Sequence, residues 1–317
     1  MKARQLIPLL FITLTSCSQS SKPLENKIFC FDTMVHIKLY ESNESKVDEL
    51  GEIFKGISKL TDNYTASDKT SVYTLNHTND EVTIDKDLYD LLKLSFDVRN
   101  EGATYYNPLC GLLSKKWKES LKNQQILDEI TKNAELLKIS TSSLLLKENN
   151  VVQRLGEAEI DLGGIAKGYA LDKAYEYLES KGIKQYLIDA GSSSILLGEK
   201  NTKDGLFSVG LKEVPGAYLK LKNCFVSSSG ISQQGVSIDG VTYSHIINPI
   251  NGSAINENDA VIVISDTGYY GDAISTSMMM NTVDEIKEIE AAHNIKTIVV
   301  KNGQIIYSHK DIEVYKR

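Results

Sequence analysis

Residues 157–191 read EAEIDLGGIAKGYALDKAYEYLESKGIKQYLIDAG, and the fold turns on them. A short alternating run ends in Asp161. Two glycines and Lys167 follow, then a helical pattern of about four turns. Lys181-Gly182 closes the helix, and Tyr186-Leu187-Ile188 starts a new strand. A strand, a glycine turn and a helix in this order make a natural anion site. The glycines let the backbone approach a phosphate, and the helix N-terminus offers unpaired N–H groups and partial positive charge. Lys167 adds a full charge at the same end. An ordinary strand-to-helix turn uses the same glycines for backbone geometry alone, so both readings stay open here. The pattern is neither GxGxxG nor GxxxxGK followed by Ser or Thr.

C-terminal to this stretch the pattern is β-rich. Short strands are expected at 185–189, 194–198, 206–211, 217–221, 224–227, 235–238, 241–247, 259–264, 296–300 and 303–308. Helices are expected at about 270–280 and 282–293. On the N-terminal side, 27–40 reads as one strand and 44–60 as an amphipathic helix. The segment 61–76 is polar and turn-rich. Val82 to Asp85 leads into a helix over 86–100 that Gly102 ends. Residues 103–117 mix aromatics, Pro, Gly and the single Trp and give no period. A polar helical region over 117–137 precedes strands at 142–147 and 150–161. Helices interrupting irregular short strands predict an α+β fold with mixed or antiparallel sheets and flanking helices.

The chain has 317 residues, 41% hydrophobic and 24% charged, with a formal net charge of −7. That composition is globular, and no basic block or stripe suggests a nucleic-acid surface. Lys2 and Arg4 precede a short apolar segment, Leu6 to Leu14, too short to span a membrane. With Leu14-Thr15-Ser16-Cys17 this reads as a bacterial lipoprotein signal over 1–16, with Cys17 lipidated and the membrane anchor facing out of the cytoplasm. Residues 17–26 read as a flexible tether, and 27–317 as one domain without an internal cut. Cys30, Cys110 and Cys224 cannot all pair and lack CxxC spacing, so free thiols are expected.

Three later stretches carry candidate chemistry. Ser227-Ser228-Ser229-Gly230 offers hydroxyls on a glycine turn, although serine clusters also make plain loops. In YSHIINPINGSAI (243–255), His245 stands at the expected end of a strand before Asn-Pro and Asn-Gly turns. In Gly271-Asp272-Ala273-Ile274-Ser275-Thr276, helical spacing puts Asp272 and Thr276 on one face. Carboxylate, hydroxyl and carbonyl oxygens suit Mg²⁺. An N-terminal helix cap by Asp272 would account for the same residues.

These stretches together resemble the ApbE family of FAD-dependent protein FMN transferases. DLGGIAKGYALD (161–172) resembles its central signature, SHIINP with Gly252 its His-Ile-Ile-Asp-Pro box, and DAISTS (272–277) its C-terminal box. Phe31-Asp32-Thr33, TDNY (61–64), Asn76, the YYN-to-Trp117 stretch and Ser228-Ser229-Gly230 are weaker matches. The chain departs from the pattern at Phe31, Asn107, Leu109, Ser192 and Asn248.

The resemblance implies a reaction that splits FAD with Mg²⁺, attaches FMN by a phosphoester bond to Ser or Thr of an exported electron-transfer flavoprotein, and releases AMP. It implies metal ligation by Asp272, Ser275, Thr276 and the Gly164 carbonyl. Lys167, Asp161, Tyr64, Tyr106, Asn107, Ser228 and His245 would contact FAD. His245 would be the base that takes the acceptor proton, or only a FAD contact. With water as acceptor the same site would be a FAD pyrophosphatase. Without turnover it would be a FAD-binding lipoprotein.

Overall fold

The computed structural model describes residues 22–40, 44–67, 70–231, 235–255 and 258–317. The expected signal, Cys17 and the first part of the tether lie outside the described residues. In chain order the elements are β1 Leu24–Cys30, β2 Thr33–Leu39, α1 Glu44–Thr61, α2 Val72–Asn76, β3 Glu81–Thr83, α3 Lys86–Asn100, α4 Gly111–Lys122, α5 Glu129–Thr141, β4 Ser143–Lys147 and β5 Val151–Leu155. Next come α6 Ala166–Ser180, β6 Tyr186–Ala190, β7 Ser194–Leu197, β8 Phe207–Gly210, β9 Ala217–Leu221, β10 Cys224–Gly230, β11 Val236–Ile238 and β12 Val241–Tyr243. The chain ends with β13 Ala260–Ser265, α7 Gly268–Met278, α8 Val283–His293, β14 Lys296–Lys301, β15 Gln304–Ser308 and β16 Val314–Lys316. The fold is α+β, as expected, and every strand pairing among the described residues is antiparallel.

An eight-stranded sheet in the order β1-β2-β6-β7-β10-β13-β14-β15 forms the middle layer. Strand alternation explains how both of its faces are covered. On β13, Val261 and Val263 join the large core with Phe54, Tyr169 and Ile274 from α1, α6 and α7. Ala260 and Ile262 face the other way, into a second core with Phe207, Leu219 and Leu197 beneath the β16-β9-β8 sheet. A strand buried on both faces reads as a continuous apolar run, and β13 is AVIVIS. A third cluster gathers around Trp117, whose Nε1 donates to the Gly252 carbonyl at 2.7 Å.

Several expectations are corrected. The strand expected over 27–40 is a hairpin, and Leu24 to Asn26 belong to β1, paired with Leu39 to Ile37. Phe31 and Asp32 form its two-residue loop, both left-handed at φ 53° and 55°. That matches the twist a tight hairpin needs, without the usual glycine or asparagine. The strand expected over 150–161 stops at Leu155. Beyond it, Arg154 donates to the carbonyls of Leu75, Gly156 and Ala158. The Asn76 amide pairs with both backbone groups of Ile160, at 2.9 and 2.7 Å. Side chains thus take the place of a neighbouring strand and leave 156–165 as a loop. Cys30, Cys110 and Cys224 are free. No helix among the described residues is long and apolar enough to cross a membrane.

Candidate active site

Two helices build the floor of the site. They touch at Gly168 of α6 and Gly268 of α7, where an added Cβ on Gly168 would lie 2.1 Å from the Gly268 carbonyl oxygen. Only glycine at both positions permits this approach. Asp172, one turn further along α6, accepts from the Gly268 and Tyr269 N–H groups at 2.7 and 2.8 Å. It thereby satisfies the open N-terminus of α7 from outside the helix. Asp272 is therefore not the cap of its own helix. It lies in the interior of α7, 6% exposed.

The Asp272 carboxylate is held by three donors. Oδ1 accepts from the Ser194 and Ser227 hydroxyls, both at 2.7 Å, and Oδ2 from the Gly168 N–H at 2.7 Å. Burial pushes its carboxyl up, opposed by the positive charge of Lys167 and by these hydrogen bonds. The start of α6 is accordingly no bare phosphate cradle. The Ile165 and Ala166 N–H groups bond to the Leu162 carbonyl, and Gly168 N–H is taken by Asp272. The Lys167 side chain carries the positive charge into the site instead.

Above this floor lies a cleft of about 350 Å³. Tyr106, Asn107, Asp161, Gly164, Lys167, His245 and Thr276 line it, as expected from sequence. The loops that bring them together are stitched by Asp161 N–H donating to the Pro108 carbonyl at 2.8 Å. Asp161 Oδ1 and Asn107 Oδ1 accept from backbone N–H groups two residues on, of Gly163 and Leu109, fixing both turns. His245 stands two residues beyond β12, not at a strand end. Burial, then Lys118 and Lys167, push its imidazole down to about 4, with Asp161 opposing. It is neutral near pH 7. Its Nδ1 and the Tyr106 Oη are buried without a hydrogen-bond partner. Such orphaned groups cost about 1–3 kcal/mol each and are offset by a ligand that supplies the missing partner.

Other expected residues fall outside the lining. Ser228 faces away, because alternation along β10 sends Ser227 and Ser229 toward α7. Ser275 is buried beneath the cleft, its hydroxyl donating to the Asp272 carbonyl at 3.0 Å. Tyr64 is 49% exposed at the rim, where its hydroxyl accepts from Lys118 Nζ at 3.0 Å. Lys118 and Ser193 line the cleft without having been singled out from sequence, whereas Asp32 and Ser114, which also line it, lie in stretches read as weaker family matches. Lys118 sits in a polar helical pattern where no local signal sets it apart from Lys115 or Lys116.

The donor set can be tested for a hard cation. Thr276 Oγ1 and Ser275 Oγ lie 3.1 and 3.0 Å from Ser229 Oγ, beside the Asp272 carbonyl. A Cβ added at Gly164 would stand 3.7 Å from Thr276 Oγ1, so that backbone is adjacent. Oxygen donors and one buried carboxylate fit a divalent ion such as Mg²⁺ and offer nothing to a soft metal. No cluster of three His, Cys, Asp or Glu suited to a metal occurs among the described residues.

Residues 31–299 match the family model described as "ApbE family". The chain belongs to the ApbE family. A FAD:protein FMN transferase of Klebsiella pneumoniae is 26% identical over 303 residues, covering 90% of this chain and 93% of that one. One from Treponema pallidum is 25% identical over 217 residues, 62% of this chain and 60% of that one. The crystal structure of the ApbE protein from Thermotoga maritima superposes with a TM-score of 0.77 at 23% identity, covering 91% of this chain and 97% of that one. The flavin transferase ApbE from Vibrio cholerae gives 0.72 at 19% identity, over 93% and 97%. The two structural likenesses establish the ApbE fold. Like its named relatives, this ApbE-family chain is an enzyme of the transferase class.

Proposed function

We propose that the chain is a Mg²⁺-dependent FAD:protein FMN transferase. One observation supports this most: Lys118 and Lys167 meet a neutral His245 in one cleft, where His245 Nδ1 and Tyr106 Oη lack partners. The lysines suit a pyrophosphate, and the neutral imidazole suits a proton acceptor. The acceptor Ser or Thr oxygen bonds to the FMN-side phosphorus. The bond from that phosphorus to the bridging oxygen breaks, and AMP leaves with the oxygen and its electron pair. His245 takes the acceptor's proton. Bound Mg²⁺, for which Asp272, Thr276 and the Gly164 carbonyl are the candidate holders, supplies charge neutralisation on the pyrophosphate. Tyr106 and Asn107 line the FAD side, and Ser275 is linked to Thr276 through the Ser229 hydroxyl.

The test incubates the soluble chain from residue 18 with FAD, Mg²⁺ and a candidate acceptor domain. The expected result is an acceptor mass increased by FMN less water, with AMP released and little free FMN. Free FMN without acceptor modification would make the chain a FAD pyrophosphatase. Bound FAD without AMP would make it a FAD carrier. The acceptor on this reading is an exported flavoprotein of an electron-transfer system. The chain itself would stand outside the cytoplasm of a bacterium on a lipid attached to Cys17, which membrane fractionation of the Cys17→Ala variant tests.

A pH dependence follows from His245. Its imidazole is depressed in the free protein, so the neutral form persists down to about pH 4. The acid limb of kcat/KM for FAD should therefore lie near pH 4. FAD's pyrophosphate offsets Lys118 and Lys167, so the acid limb of kcat should lie at higher pH. Removing one of the two cations by Lys118→Met should raise the kcat/KM limb only in part, because burial is the larger cause of the depression and Lys167 remains. Unmoved limbs in parallel pH–rate profiles would remove His245 from the proton-transfer role.

A further inference from the structure

Beside the cleft runs a second concavity of different character. Phe96, Leu109, Leu136, Leu144 and Ile250 line it, and Arg99 is the one charged residue in its wall. Asn107 and Pro249 belong to both concavities, so the groove and the polar cleft adjoin at these two residues. Its rim exposes large apolar side chains to water: Leu137 is 63% exposed and Ile250 is 64% exposed. These are held, not loose. The turn carrying Pro249 and Ile250 rests on α5, where a Cβ at Gly252 would sit 3.4 Å from Leu136 Cδ1. Trp117 Nε1 pins the same turn through the Gly252 carbonyl. Ser143 and Leu144, at the start of β4, also line the groove. β4 is an edge strand of the β3-β5-β4 sheet, with one side of its backbone outside that sheet's pairing.

A transferase has a second substrate, which must reach the cleft without displacing FAD. We infer that this groove docks the acceptor polypeptide, as an extended segment whose apolar side chains flank the modified Ser or Thr. The inference rests on the transferase reading above. The groove's apolar wall and fixed exposed leucine and isoleucine suit apolar side chains. The edge of β4 suits an extended backbone that adds to it. The shared Asn107 and Pro249 place the acceptor hydroxyl at the mouth of the cleft, across from the lysines that suit the pyrophosphate.

The test uses the double variant Leu137→Glu/Ile250→Glu of the full domain. Both side chains are mostly exposed, so the core is untouched. The probe is a fluorescein-labelled synthetic peptide of alternating Leu and Ser around a central Thr, followed by anisotropy with FAD and Mg²⁺ present. Peptide affinity is expected to fall by about tenfold or more in the variant, equivalent to roughly 1.4 kcal/mol, with FAD affinity unchanged. Equal peptide binding by both proteins, or none by the wild type, overturns the inference. So does a loss of FAD affinity in the variant, which would assign the groove to the flavin ring. AMP and FMN are recorded in parallel. Free FMN with the peptide bound in the groove counts against the transferase reading and still supports the docking site.

Discussion

Asp272→Ala is expected to lower Mg²⁺-dependent FAD cleavage by on the order of a thousandfold or more, while FAD still binds. The reasoning starts from what the side chain holds. Its two oxygens accept from Ser194, Ser227 and Gly168, and its charge faces Lys167. Removing it strands two hydroxyls and one N–H in a buried place, each costing about 1–3 kcal/mol. It also leaves Lys167 without its buried counter-charge. Asp272→Asn keeps the volume, and its NH₂ can donate to the Ser194 and Ser227 hydroxyls while its oxygen keeps the Gly168 N–H, but it removes the negative charge, so it should rescue folding more than turnover. AMP release with and without Mg²⁺, beside FAD binding by flavin fluorescence, checks both variants. Turnover above a tenth of wild type in Asp272→Ala would exclude it from the metal site.

Gly168→Ala is expected to cost more stability than any ordinary core change. Its Cβ would stand 2.1 Å from the Gly268 oxygen and 2.8 Å from the Tyr269 nitrogen, all backbone atoms that cannot rotate away. Routine overpacking costs about 1–3 kcal/mol because side chains shift. Here α6 and α7 must separate, which also breaks the Asp172 and Asp272 hydrogen bonds to the opposite helix. A melting temperature lower by about 10 °C, or loss of soluble protein, is expected. Gly182→Ala is a useful contrast. Nothing lies within 4 Å of its added Cβ, but φ is +66°, so its cost is about 1 kcal/mol of backbone strain. Comparable melting of the two variants would refute the close crossing.

Local signals explain what was legible in sequence. α3 was bounded correctly at Lys86–Asn100, because Asp85 caps it and an apolar face runs its length. β9 and α8 were likewise read from alternation, period and capping. The misses needed the third dimension. The Phe31-Asp32 turn carries no glycine or asparagine, and Phe31 gives no sign of left-handed backbone. Residues 156–161 alternate like strand but form a loop, because Arg154 and Asn76, far apart in sequence, satisfy the backbone there. β16 went unseen because it is short and pairs with distant β9. In the site, the family resemblance pointed to Lys167 and His245, which share the cleft, and to Asp272, which lies buried in α7 outside its lining. Within the Ser227–Ser229 run, strand alternation turns Ser227 and Ser229 toward α7 and Ser228 away, a one-residue distinction the run itself does not carry. Ser194 and Lys118 reach the site only through folding.

The touching of α6 and α7 through backbone atoms also divides the enzyme's evolvability. Lys167 and Asp272 ride on one welded block whose geometry tolerates almost no change of side chain. The hairpin at Phe31, the 248–252 turn and the face of α5 are built from ordinary side-chain packing around the mouth. Under the proposed function, acceptor preference can therefore drift along the perimeter while the chemistry stays put.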